Sequence, residues 1–235
     1  MDIQEAKVLV TGGSSGIGRA TARQLSALGA RVAICGRDQK RLEEVAEECN
    51  AIAITADVTD EKQVRHLVQS VIHEMDGYNV LINNAGIGSF GPLIRLTTGE
   101  FEKVLWTNVI GAMVVARESA RHFIAQERGD IVNVASTAAS RGFANGTAYV
   151  ASKFALSGMT ECWRAELREH NIRVMQVNPS EVLTPFYTTA GRDERPKNPT
   201  KLHADDIAAM IVSMIQIHDR GFVTEATVWA TNPKD

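Results

Sequence analysis

Short runs of β-branched and other apolar residues alternate along this chain with longer segments whose apolar residues recur at helical spacing. That alternation constrains the fold more than any other feature. Strands are read at 7–10, 31–35, 51–55, 80–83, 130–135, 172–177 and 226–229, and helices at 16–28, 39–48, 60–74, 99–126, 147–169 and 204–218. In the first helix Ile17, Ala20, Leu25 and Leu28 keep helical spacing, and Gly29 follows as a left-handed cap would. Asp60 is placed to cap the third helix. Strands that alternate with helices pair in parallel, with the helices crossing over both faces. The chain is therefore expected to form one α/β domain over 1–235, a doubly wound parallel sheet. Its 235 residues suit a single core, and 44% hydrophobic against 23% charged residues is a globular balance.

The turn between the first strand and first helix, Thr11-Gly12-Gly13-Ser14-Ser15-Gly16-Ile17-Gly18, has the composition a dinucleotide pyrophosphate requires. Backbone must approach the anion without an intervening Cβ, and the free N–H groups of a helix start must face it. At the end of the second strand an acidic residue would bind a ribose 2′-hydroxyl. Here Gly36 and Arg37 stand instead, and a guanidinium suits the 2′-phosphate of NADP. Asp57, beside Val58, follows the third strand, where it either accepts from the adenine amine or simply forms a turn. Asn83-Asn84-Ala85-Gly86 follows the fourth strand, and the small Ala85 and Gly86 would let a cofactor pack against backbone.

Tyr149 and Lys153 lie one turn apart at the start of a helix, so they share a face. A tyrosine with a pKa of about 10 is a poor base, and a lysine cation beside it is expected to lower that value. Tyr149 would then exchange a proton with a carbonyl or alcohol oxygen as a hydride moves at the adjacent carbon. Ser136, ending the fifth strand, is placed to hold the same oxygen. Asn108 is out of place in the middle of a helix and is read as holding a water that links Lys153 to solvent. Each of these residues alone has an ordinary structural explanation. Their coincidence at the sheet edge where the glycine turn places a cofactor argues for chemistry.

With these motifs in place, the chain resembles the short-chain dehydrogenase/reductase family, in its compact single-domain branch, from about Lys7 to Trp229. Thr11-Gly12-x-x-x-Gly16-Ile17-Gly18, Asn83-Asn84-Ala85-Gly86 and Tyr149-x-Ala151-Ser152-Lys153 carry the likeness. The resemblance implies a Rossmann fold and a tetrad of Asn108, Ser136, Tyr149 and Lys153, with Lys153 also binding the nicotinamide ribose. It implies that Pro179, Val182 and Thr184 hold the nicotinamide, and that the protein is a homo-oligomer, a tetramer or dimer. The pairing would run through the helices bearing Asn108 and Tyr149 and through the C-terminal helix and strand. The general style is similar to 3-oxoacyl-carrier-protein reductases and broad carbonyl reductases.

The chain departs from the family at Ser180, where glycine is usual, and at Glu225, Thr231, Asn232 and Pro233, where a Thr-Gly to Gly-Gly ending is usual. The first departure bears on the nicotinamide pose and the second on the tetramer interface. The polar stretch 179–203 contains Arg192-Asp193-Glu194-Arg195, Pro196 and Pro199. It is read as a lid over a substrate pocket, because it comes after the C-terminal end of a strand. Phe90, Phe143, Phe186 and Tyr187 hint that this pocket is apolar.

The expected activity is NADP(H)-dependent hydride transfer between nicotinamide and a ketone or secondary alcohol. The alternatives are an NAD-dependent alcohol dehydrogenase of the same family and a non-catalytic NADP sensor, though a sensor should lack part of the tetrad. A nucleotide-sugar epimerase would need a larger C-terminal region. The net charge of −3 and scattered basic residues give no reason to expect a nucleic-acid or membrane partner. Cys35, Cys49 and Cys162 have neither disulfide nor metal-ligand spacing and are read as reduced thiols in or near the core, which suits a cytoplasmic protein.

Overall fold

The computed structural model describes residues 1–190 and 198–233. Seven strands form one parallel sheet in the order β3-β2-β1-β4-β5-β6-β9. They are β1 (Lys7–Thr11), β2 (Arg31–Gly36), β3 (Ile52–Thr55), β4 (Val80–Asn83), β5 (Gly129–Val134), β6 (Ile172–Pro179) and β9 (Glu225–Val228). A second parallel pair joins β7 (Val182–Leu183) to β8 (Leu202–His203).

The two-residue period of each strand divides its side chains between two cores. Val8, Val10, Val32, Ile34, Val132 and Val177 meet α1 (Gly16–Ala27), α2 (Gln39–Cys49) and α8 (Ala204–Gln216) through Leu25, Leu42 and Ile211. Leu9, Ala33, Leu81, Ile131 and Val174 point the other way. They meet α3 (Glu61–Met75) and α5 (Ala112–Ala125) through Leu67, Val71, Val115 and Phe123, with Trp163 of α6 (Thr147–Leu167) packed on the same cluster. Strands covered on both faces read as nearly continuous apolar runs, as a parallel sheet requires. This is the doubly wound Rossmann arrangement expected from the sequence. Gly29 takes φ +94° after α1, and Asp60 accepts from the amides of Lys62 and Gln63 at the start of α3, so both predicted caps form.

Three elements differ from expectation. The single helix read at 99–126 is divided into α4 (Thr98–Leu105), a π-helical segment Trp106–Gly111, and α5. The stretch 179–203 is not wholly irregular: it holds β7, the short helix α7 (Phe186–Thr189) and β8. Its charged run at 192–195 and Pro196 lie outside the described residues. Finally, Cys162 is exposed on α6, whereas Cys35 and Cys49 are buried.

The strand order reverses between β1 and β4. Their crossovers leave on opposite faces of the sheet, so a crevice opens beyond their C-terminal ends, where ligands of open α/β sheets bind.

Candidate active site

A cleft of about 760 Å³ occupies that crevice, a size typical of sites for cofactors and small molecules. Every candidate residue named from the sequence lines it except Gly18 and Asn108. At its floor, Gly12 and Gly16 take φ of +65° and +53°, the left-handed region where a side chain is strained. Ser15 precedes α1, its hydroxyl makes no capping bond, and it lines the cleft. Gly18 does not line the cleft. A Cβ there would lie 2.3 Å from the Gly12 carbonyl oxygen, so Gly18 lets the helix seat against the turn.

Arg37 is exposed just past β2, and no carboxylate among the described residues pairs with it. The next residue, Asp38, is already engaged. It caps α2 by accepting from the Arg41 amide at 3.1 Å and pairs with the Arg41 guanidinium at 3.3 Å. Asp57 forms the turn that was one of its two readings. Its Oδ1 accepts from the amide and hydroxyl of Thr59 at 2.9 and 2.8 Å, while the residue, with Val58, still lines the cleft.

The end of β4 is tied across the crevice to β1. Thr11 Oγ1 accepts from the amides of Asn84 and Ala85, both at 2.9 Å, and Asn84 Nδ2 donates to the Thr11 carbonyl at 2.9 Å. The Asn84 amide is thus chiefly a brace between the two strands. Asn108 is fully buried beneath this wall. Its Nδ2 donates to the Ile87 carbonyl (2.9 Å) and Ser152 Oγ (3.0 Å), and its Oδ1 accepts from the Ile87 amide (2.8 Å). A mid-helix asparagine is explained here by pinning the segment after Gly86, with the π turn setting its direction. Asn108 does not itself line the cleft.

Ser136, Tyr149 and Lys153 do converge. Ser136 stands beside the Tyr149 phenol, close enough to pull its pKa down. Ser136 Oγ also accepts from the Ala138 amide at 3.1 Å, which orients it at the start of a 3-10 turn, Thr137–Ala139. Lys153 is buried below, with Nζ 5.6 Å from the centroid of the Tyr149 ring and donating to the Val134 carbonyl at 2.9 Å. The expected lowering of the phenol by this lysine does not occur in this arrangement. Burial pushes the phenol up to about 12, against the pull of Ser136 and with a further push from Tyr187. Burial also lowers the Lys153 ammonium to about 8. Desolvation is the largest cause of both shifts.

The other end of the cleft is built from β6 and the segment after it. Pro179, Ser180 and Val182 line it, and Thr184 stands over the glycine turn, its Cβ 3.3 Å from where a Cβ on Gly16 would be. The aromatic residues suspected from sequence form a cluster around the phenol. Phe90 and Phe186 lie 5.4 and 5.5 Å from the Tyr149 ring, and Phe143 lies 6.2 Å from Phe90. Sequence reasoning missed Arg141, whose guanidinium sits 4.8 Å from the Trp229 ring centroid, and the pair Lys201–Glu181 at 3.2 Å. Nothing short of the fold brings these distant positions together. The departing Glu225 accepts from Asn178 Nδ2, joining β9 to β6, and Pro233 reaches the cleft wall. Among the described residues there is no cluster of side chains able to hold a metal, and no helix is long and apolar enough to cross a membrane.

A family model described as short chain dehydrogenase matches residues 6–195. The 3-oxoacyl-[acyl-carrier-protein] reductase of Thermotoga maritima is 35% identical over 188 residues, covering 77% of this chain and 76% of that protein. A short chain dehydrogenase from Burkholderia cenocepacia J2315, solved in complex with NADP, shares 31% identity at a TM-score of 0.85 over 98% of both chains. The 3-ketoacyl-(acyl-carrier-protein) reductase of Brucella melitensis, solved with NADH, shares 30% identity at a TM-score of 0.87, covering 95% of this chain and 96% of that one. The two structural likenesses run nearly end to end, and the chain belongs to the short chain dehydrogenase family of oxidoreductases.

Proposed function

We propose that the protein is an NADP(H)-dependent oxidoreductase that interconverts a ketone and a secondary alcohol, with Tyr149 as the acid/base. The observation that carries this reading is the Tyr149 phenol. It stands beside Ser136, lies above Lys153 and lines a cleft whose floor is the glycine turn. The cofactor, when bound, supplies or accepts the hydride. Gly12, Ser14, Ser15, Gly16 and Ile17 hold its pyrophosphate against the start of α1. Arg37 takes the 2′-phosphate, because it is the guanidinium at that end without a carboxylate partner, while Asp38 is occupied by Arg41. Asp57, Val58, Asn84, Ala85 and Gly86 line the adenosine side, and Pro179, Val182 and Thr184 the nicotinamide side.

Ser136 holds the substrate oxygen, and Tyr149 donates its proton to that oxygen as negative charge develops there. A phenol held well above neutral pH is protonated and able to donate. Lys153 lies beneath the ring, its Nζ held by the Val134 carbonyl. Asn108 acts as a positioning residue through Ile87. Residues 179–203 serve as the lid, with Phe186 and Tyr187 placed over the phenol.

Exposed Trp106, Ile110 and Phe154 on the segments bearing Asn108 and Tyr149 support pairing with a second copy. Three free thiols suit a reducing cytoplasm.

The test is NADPH consumption against acetoacetyl thioesters, diketones, aryl ketones, steroids and sugars, with Tyr149→Phe alongside. The variant is expected to lose about 10²- to 10⁴-fold in kcat. Near wild-type turnover by Tyr149→Phe would overturn the assignment.

A further inference from the structure

The substrate half of the cleft contains three cations in unlike situations. Lys153 donates to the Val134 carbonyl, and Lys201 is paired with Glu181. Arg141 pairs with no carboxylate among the described residues, and its guanidinium rests on the Trp229 ring. This cation–π contact holds the guanidinium against the cleft wall. No hydrogen bond to Arg141 is found among the described residues, and a guanidinium matches a carboxylate with two parallel hydrogen bonds. Arg141 lines the same cleft as the phenol and is joined to Ser136 through the 3-10 turn that Ser136 caps. Phe143 and Phe90 supply an apolar wall leading to Tyr149.

Resting on the function proposed above, we infer that the substrate is a carbonyl compound that also bears a carboxylate, an oxo acid. Arg141 binds the carboxylate, while Ser136 and Tyr149 engage the ketone. A single unpaired guanidinium matches a monoanion better than a phosphate dianion, which would call for a second cation, and Lys201 is already held by Glu181.

The experiment compares kcat/KM for matched oxo acids of increasing chain length, their methyl esters and their N-acetylcysteamine thioesters. Wild-type protein, Arg141→Ala, Arg141→Lys and Arg141→Glu are assayed with NADPH, and melting temperatures confirm folding. The wild type is expected to prefer one oxo acid over its ester about tenfold to hundredfold, the range set by a charge-assisted pair of hydrogen bonds. Arg141→Ala removes that preference, Arg141→Lys restores part of it, and Arg141→Glu reverses it. Trp229→Leu raises KM for the acid more than for the ester, because the guanidinium loses its platform. Equal losses on acid and ester in Arg141→Ala, or a wild type that prefers the ester or thioester, would overturn the inference. Tyr149-dependent turnover of neutral ketones without any acid preference would sink it while leaving the proposed reductase intact. Absence of Tyr149-dependent turnover with every carbonyl would remove both.

Discussion

Replacing Lys153 with methionine should change the pH dependence of stability in a calculable way. Burial lowers the ammonium from 10.5 to about 8 in the fold. The folded value is depressed, so folding favours the neutral amine. The penalty for burying the cation is therefore complete below about pH 8 and fades as the pH rises towards 10.5, the value of an unperturbed lysine. At about 1.4 kcal/mol per pH unit, the full penalty is about 3 kcal/mol, and about 2.5 kcal/mol of it is relieved between about pH 7 and about pH 10. Methionine keeps the apolar stem without the charge. Loss of the bond to Val134 adds only an offset that does not vary with pH. The stability of wild type relative to Lys153→Met should thus rise by about 2.5 kcal/mol across that window, or roughly 5–10 °C in Tm for a chain of this length. Tyr149 does not interfere, because its raised value puts its own loss of stability above its ordinary value of 10.0. Thermal and urea unfolding without nucleotide would measure the gap. A gap that stays flat from about pH 7 to about pH 10 would refute the desolvation argument.

Arg37→Ala should weaken NADPH binding about tenfold to hundredfold and leave NADH almost unchanged, measured by fluorescence titration. An equal loss for both nucleotides would show that Arg37 does not read the phosphate. Arg173→Leu leaves the Asp130 carboxylate buried without its guanidinium, which joins it in the wild type through a buried ion pair. Chemical denaturation should register a loss of about 3–5 kcal/mol. Gly18→Ala forces a methyl group onto the Gly12 carbonyl and should cost about 1–3 kcal/mol. Its nucleotide affinity should fall with it, and calorimetry would check both.

Much of the fold was legible because its signals are local. The two-residue period that sends Val8 and Val10 one way and Leu9 the other is written in consecutive residues, as are the caps at Gly29 and Asp60. The glycine turn, Ser136, Tyr149 and Lys153 were legible as a set because strand ends fall at one edge of a parallel sheet. Side-chain direction was less accessible. That Asn84 and Asn108 also brace backbone could not be read, since the carbonyls they reach belong to segments distant in sequence. The sign of the Tyr149 shift was missed for the same reason. Spacing puts a lysine beneath the ring, but only the packed structure shows its ammonium turned to Val134. The π segment was illegible, because six residues are too few for apolar periodicity to distinguish its wider turn from an α-helical one.

That segment acts as a phase adjuster. Each residue added to a helix turns the downstream face by about 100°, and the wider turns of Trp106–Gly111 take up part of that rotation before α5 begins. Two inward-facing demands flank it: Asn108 towards Ile87, and Val115 with Phe123 towards the sheet. Removing one residue from the segment would leave a more regular helix that meets only one of these demands. Either the wall behind Gly86 loses its anchor, or the α5 face of the core turns towards solvent. The irregularity lets α4, the π segment and α5 serve the cleft and the core in different rotational settings.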